Sequence, residues 1–395
     1  MALGSDIRLR WVLPDPSRER AVDALGMSVQ ADRLAERLVP QLSGTTNRAR
    51  YLSFLCWAIK QTSTIKKPIT AIHRLEAQLA IEEAMRHRDR PADDCVGIVG
   101  RGNATRYMLK HGWRAPAHPE RLYKSTAFAA YRPAMRALGL LTRARRPELT
   151  PAGRALAAAY GAARGKKPRC LQDISRAEQG LLKQALGLDL RVKAPVGAAA
   201  LRRATADRLG EMDQNATATD VLERHAGSRP RGDVAQLLHR AYVWELLSLG
   251  LGVAFTMLLC AERRSTVASK LRRALGRHPR CPTLGSLSGE DPDAAENVVA
   301  LLRAALKRRP VDLGLERSAV DLAHTLVTHK RPVEFLDKIV QRHAAAKPDG
   351  PWIMLAGDAI KPLVPTKTRV TTVRPRTYRL DAFEQILWDV EYFDS

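Results

Sequence analysis

The chain has 395 residues, 45% hydrophobic and 27% charged, a composition that excludes a disordered chain and a length that exceeds one compact core. Sixty-five Lys and Arg stand against 41 Asp and Glu, and the net charge of +24 calls for a polyanionic partner, nucleic acid ahead of an anionic membrane. The five cysteines, Cys56, Cys95, Cys170, Cys260 and Cys281, form no CxxC pair, which argues against a disulfide framework or zinc ribbon and for reduced thiols in a cytoplasmic protein. Cys56 and Cys260 lie in apolar runs and read as small core residues. The first twenty residues lack the apolar core of a signal peptide.

Residues 1–40 read as an open lead-in, held extended by Pro14 and Pro16, followed by a helix with Val29, Leu34 and Leu38 on its apolar face. The stretch "LSGTTNRARYLSFLCWAIKQT", residues 42–62, then places two arginines at the start of an apolar helix, where the helix dipole is already positive. Ser43, Thr45 or Thr46 would cap that helix, with Tyr51, Phe54, Leu55 and Trp57 in the core. Arg48 and Arg50 would either add charge beside a bound phosphate or pair with Asp32 or Glu36 of the preceding helix.

Residues 70–162 carry three helical patterns, over 70–88, 93–112 and 118–141, the first with Ile72, Leu75, Leu79 and Ala80 on one face. They are followed by "LGLL", the basic turn "TRARRP" and the returning "ELT", then a helix capped by Thr150 with Pro151 in its first position and Leu156 in its core face. Three helices, a basic hairpin and a terminal helix is the winged-helix order. The third helix would offer Lys124, Ser125, Thr126, Tyr131, Arg132 and Arg136 to DNA, and the hairpin tip Arg143, Arg145 and Arg146. Pro133 requires that this helix start near it or that two short helices meet there.

After a basic linker at 163–175 the chain reads as irregular helices, the first with Ser175 and Glu178 in capping-box spacing. Residues 241–260 are long enough to span a membrane, but with Glu245 and two glycines they read as a buried bundle helix, so no membrane partner is expected. Residues 278–293 form a Pro-, Gly- and Ser-rich loop. Near the end, Arg369, Arg374, Arg376 and Arg379 make a basic segment, and Arg374 and Arg376 join the candidate nucleic-acid contacts. An acidic amphipathic helix with Phe383, Ile386, Leu387 and Val390 closes the chain and is expected to pack back on the basic body.

No phosphate-loop, nucleophile-elbow or zinc-protease motif is present, so no cofactor, metal or catalytic residue is expected. "GIVGRG" at 97–102 lacks the Lys-Ser/Thr of a phosphate loop and reads as a turn between helices. Asp349, Asp358 and Lys361 are the nearest approach to a metal-dependent nuclease, with Asp358 better read as a surface turn near a helix start. His324 and His329, five apart, do not share a helix face.

"LVPQLSGTTNRARYLSFLCWAIK", "HRLEAQL", "VGIVGR" and "HPERLYKSTAFAAYRPAMRALGL", in that order, with "YRLDAFEQIL" near the end, resemble a bacterial family encoded in restriction and phage-defence islands, beside Swi/Snf-type helicases and phospholipase-D-fold nucleases. The resemblance covers mainly residues 34–140. It departs in the third helix, where Lys124, Ser125 and Thr126 replace the family's Pro-Ser-Ser-x-Tyr and the tyrosine comes later, at Tyr131. It implies a setting rather than a reaction.

The expectation is a mainly α protein, with a winged helix-turn-helix domain plus an irregular α-helical bundle domain. Residues 1–69 would be a lead-in packing on a winged-helix domain over 70–165, and 166–395 the helical domain. The function expected is a non-catalytic DNA-binding subunit of a phage-defence or mobile-DNA system, binding duplex DNA and recruiting other subunits. A divergent nuclease in the C-terminal half and an RNA-binding subunit of a ribonucleoprotein complex are the alternatives.

Overall fold

The computed structural model describes residues 23–43, 46, 48–86, 101–112, 127–164, 174–192, 195–212, 216–224, 232–348, 350–364 and 372–392. The protein is mainly helical: fifteen helices and two two-stranded ladders lie among these residues. The chain forms two compact units. The first takes the described residues of Arg33–Val221, Arg231–Leu238 and Thr377–Ser395, and the second those of Met1–Asp32, Leu222–Pro230 and His239–Arg376. The boundaries expected near residues 69 and 165 both fall inside the first unit.

The centre of the first unit is α2 (Ala49–Thr62), with α1 (Ser28–Leu38) before it in the chain. Helix α2 is buried on nearly every side, and its aromatic residues explain why. Tyr51 meets Tyr131 with ring centres 5.2 Å apart, Phe54 meets Tyr160 at 6.0 Å, and Trp57 meets Tyr160 at 5.7 Å. Tyr131 lies on α5 (Ala127–Ala137) and Tyr160 on α6 (Pro151–Arg164), so these contacts gather the unit around one helix. On α1, Leu34 and Leu38 are buried, whereas Val29 is exposed. Helix α3 (Pro68–Arg86) packs against α2, α5 and α4 (Arg101–Lys110).

Helix α5 runs straight through Pro133. Neither expected interruption occurs: Pro133 lies inside the helix, with its ring on the exposed face. After α5 the chain turns at Gly139, whose φ of +70° suits glycine, into a minimal hairpin. The expected strands shrink to one antiparallel bridge, Leu141 to Leu149, flanked by N–H···O bonds from Thr142 to Glu148 (2.9 Å) and from Thr150 to Leu140 (3.1 Å). Thr150 caps α6 as expected, accepting the Gly153 N–H at 3.2 Å, and Leu156 is buried. Helix α7 (Arg176–Leu186) starts with the Ser175–Glu178 capping box. Helices α8 (Gly197–Gly210) and α9 (Ala218–Arg224) follow.

The second unit is organised on the greater part of α10 (Asp233–Cys260), from His239 onward. This helix is apolar and long enough to cross a membrane, and 89% of its most apolar window is buried inside the protein. Fully buried Glu245 accepts the Arg376 backbone N–H at 3.1 Å. Cys56 is buried as expected, but Cys260 is exposed because it is the last residue of α10, beyond the covered part. Helices α11 (Arg264–Leu275), α12 (Ala294–Leu306), α13 (Arg317–Val327) and α14 (Pro332–Ala346) pack successively in pairs, with α11 also against α14. The 278–293 loop contains β1 (Leu287–Ser288), which pairs antiparallel with β4 (Thr372–Val373). Strands β2 (Ile353–Ala356) and β3 (Ala359–Pro362) make a hairpin around Gly357 and Asp358. The closing helix α15 (Leu380–Asp389) belongs to the first unit, where it packs on α2 and α8.

Candidate nucleic-acid interface

Burial removes several of the expected contacts from the surface. Arg48 is 2% exposed and Arg50 6%. Helix α2 begins at Ala49, too late for Ser43 or Thr46 to cap it, and Thr46 closes a local turn with Ser43 instead. The first turn of α2 is served by Asp389 of α15, which accepts the Ala49 N–H at 2.8 Å and pairs with Arg48 at 3.0 Å. Arg48 therefore pairs with neither Asp32 nor Glu36; Glu36 pairs with Arg379. Arg50 lies over the Tyr160 ring, 5.5 Å from its centre. These arginines are core residues and leave no room for a phosphate.

The third-helix residues divide similarly. Tyr131 is fully buried, and its hydroxyl oxygen accepts the Arg48 backbone N–H at 3.1 Å. Arg132 donates to the Arg145 carbonyl at 3.0 Å, and Arg136 to the Ala144 carbonyl at 2.9 Å. Both therefore hold the hairpin rather than offering a fork to a base. Lys124, Ser125 and Thr126 lie outside the described residues, as do Thr45, Asp349, Arg369 and most of "GIVGRG".

Within α5, the first N–H groups are capped by a carboxylate from another helix. Glu76 of α3 accepts the N–H of Phe128 at 2.5 Å. Burial pushes its carboxyl up to about 7, against the pull of the Phe128 and Ala127 N–H groups.

The hairpin tip stays exposed. Arg143, Arg145 and Arg146 all reach solvent. Arg146 donates to the carbonyls of Ser63 (2.6 Å) and Ile65 (3.3 Å), tying the hairpin to the turn between α2 and α3. Between that turn and the hairpin is an open groove of about 400 Å³, walled by Lys66, Lys67, Arg145 and Arg146 with Pro68, Ile69, Thr70 and Pro147. The side chains of Lys66, Lys67, Arg143 and Arg145 make no hydrogen bond or ion pair with any described residue. Pro68 opens α3, so the N–H groups of Ile69 and Thr70, which precede the first intrahelical bond, add partial positive charge at the groove. Lys66 and Lys67 are not among the contacts expected from the sequence. A lysine pair directly before a proline-initiated helix is the signal that would have found them.

In the second unit, Arg374 is exposed, whereas Arg376 is half-buried and 3.7 Å from Asp23. Asp358 sits on the β2–β3 turn and caps α11, accepting the Ser265 N–H at 2.8 Å and hydroxyl at 2.6 Å. Those bonds, with Arg264 and Arg263 nearby, hold its carboxyl below the usual range. His324 bonds Thr328 at 3.0 Å. Among the described residues no three His, Cys, Asp or Glu side chains converge as metal ligands would. Comparison of the chain with protein-family models, with curated proteins and with solved structures gives no match.

Proposed function

We propose that this chain binds duplex DNA through the basic hairpin and the groove beside it, as a non-catalytic subunit of a prokaryotic phage-defence or mobile-DNA system that recruits partner proteins. The observation that carries the reading is the groove. Cations from two separate segments converge there with a helix N-terminus and no acidic side chain on its walls. Such an arrangement suits a phosphate, because like charges held together are relieved by an anion and the free N–H groups of a helix start donate to it. The order of α3, α4, α5, hairpin and α6 supports a winged-helix arrangement in which the wing makes the contact. With Arg132 and Arg136 committed to the hairpin, the contact is to phosphates rather than base edges, and binding depends steeply on salt.

The test is a fluorescence-anisotropy titration of the full chain with duplex DNA, single-stranded DNA and duplex RNA over a salt series. Duplex DNA is expected to bind tightest. Replacing Arg143 and Arg145 by Ala should lower the slope of log affinity against log salt by about 2, at roughly 0.9 per phosphate contact. No binding to any of the three at moderate salt overturns the reading, and a preference for duplex RNA replaces it with an RNA-binding subunit.

A further inference from the structure

We infer that helix α11 of the second unit is a separate duplex-DNA contact, gripping backbone phosphates along its side. The inference rests on the reading of the protein as a DNA binder. Helix α11 buries Val267, Ala268, Leu271, Ala274 and Leu275 and contains no acidic residue. Its other face is exposed and carries Thr266, Ser269, Lys270, Arg272 and Arg273. Thr266, Lys270 and Arg273 follow one another at helical spacing, with Ser269 and Arg272 beside them. Lys270 and Arg273 are separated by about 4.5 Å along the axis, of the order of the 3.4 Å axial step between phosphates of one DNA strand.

Five other arginines of this unit are engaged in holding the fold. Arg264 pairs with Asp337, Arg277 with Glu296, and Arg342 with Glu316. Arg303 donates to the carbonyls of Arg277 and Leu275, and Arg308 covers the Tyr242 ring. Lys270, Arg272 and Arg273 make no such bond to any described residue; Lys270 and Arg273, three apart, share one stripe of the exposed face, and Arg272 lies at its edge in line with Ser269. The N-terminal end of α11 is closed by the Asp358 carboxylate, so an anion meets the side of this helix and not its end. Exposed hydroxyls at Thr266 and Ser269 supply neutral donors next to the cations, as phosphate contacts use. A straight cationic helix face suits the wide major groove of B-form DNA and not the deep, narrow one of duplex RNA.

The test compares two triple variants of the full chain on the same duplex DNA over a salt series. One is Lys270→Gln, Arg272→Gln and Arg273→Gln. The other, Arg317→Gln, Lys330→Gln and Lys361→Gln, removes the same net charge from exposed cations scattered over the same unit. Glutamine keeps helix propensity, and none of the six side chains is buried, so both variants are expected to fold, as circular dichroism will check. The α11 variant should lower the salt slope by about 2 to 3, at roughly 0.9 per phosphate, and the scattered variant by less than 1. Equal effects of the two triples overturn the inference and leave the hairpin reading intact. A wild-type chain that binds no duplex DNA overturns both. Loss of slope in the α11 variant with none on replacing Arg143 and Arg145 supports α11 and removes the hairpin.

Discussion

Arg48 and Asp389 stand 341 residues apart in the chain and form a buried ion pair, 3.0 Å from Nε to Oδ2, with both side chains almost wholly out of water. Asp389 is also the acceptor for the first N–H of α2, so one carboxylate closes the helix that organises the unit and neutralises the arginine preceding it. Burial still pushes the Asp389 carboxyl up, against the Arg48 charge and its hydrogen bonds. Removing one partner leaves a charge stranded. Asp389→Ala should cost about 3–5 kcal/mol, read from the urea midpoint, whereas Arg48→Met with Asp389→Leu should recover much of it. A single variant as stable as the wild type would show that water enters the site.

The hairpin has one bridge and so depends on side chains for its shape. Arg132 and Arg136 each hold a tip carbonyl, and Arg146 holds the tip to the α2–α3 turn. Hydrogen bonds from a charged donor are worth about 1.5–3 kcal/mol. Arg132→Gln with Arg136→Gln should therefore raise amide exchange across residues 142–148 while leaving α2 and α6 protected. DNA affinity should fall several-fold through loss of preorganisation, with the salt slope nearly unchanged. A fall in slope by 2 would mean that these two arginines touch phosphate themselves.

The two units should respond to pH in opposite directions. In the first, Glu76 is raised to about 7 from an ordinary 4.5, so its contribution is full below 4.5 and is lost as pH rises through 7. In the second, His343 is buried against Phe255 and Trp352, and both ring nitrogens are used: Nδ1 bonds the Ala24 carbonyl at 2.7 Å and Nε2 accepts the Trp352 N–H at 2.8 Å. Burial holds it below its ordinary 6.5, so its contribution is full above 6.5 and is lost as pH falls through the lowered value. Glu76→Gln should remove the first dependence and His343→Gln the second, each seen as a flatter difference in unfolding midpoint between pH 4.5 and 8. Unchanged profiles in both variants would place the titrating groups elsewhere.

Local patterns were legible in the sequence and long-range partnerships were not. The Ser175–Glu178 box and the Thr150 cap with Pro151 are written in neighbouring residues, and each forms as read. The acidic closing helix was expected to pack back on the basic body, and it does. Its partner was not foreseeable, because nothing local distinguishes the Arg48 that meets Asp389 from the exposed Arg143. The same holds for Glu76, which caps a helix begun fifty residues later, and for Tyr131, which reads as a polar contact and sits in the core. The groove was half legible: its hairpin wall followed from "TRARRP", while its lysine wall depends on how the α2–α3 turn meets the hairpin.

Gly250 and Gly252 of α10 permit two different close approaches, and they should tolerate alanine differently. A Cβ on Gly250 would lie 2.8 Å from Cδ2 and 3.0 Å from Cγ of Leu302 on α12, atoms that rotation about the unbranched Cβ of leucine can move. A Cβ on Gly252 would lie 2.9 Å and 3.2 Å from the two γ-carbons of Val373 on β4. Val373 is branched at Cβ and stiff at χ1, so relief there requires the strand to move. Alanine inside a helix gains about 1 kcal/mol over glycine. Overpacking in a filled core costs about 1–3 kcal/mol. Gly250→Ala should therefore lie near neutral, and Gly252→Ala should lower the urea midpoint and loosen the β1–β4 ladder, seen as faster amide exchange across it. Gly250→Leu should destabilise in its turn, since Leu302 cannot yield to a full side chain. If Gly252→Ala were no less stable than Gly250→Ala, β4 would be a movable strand and not a fixed wall against α10.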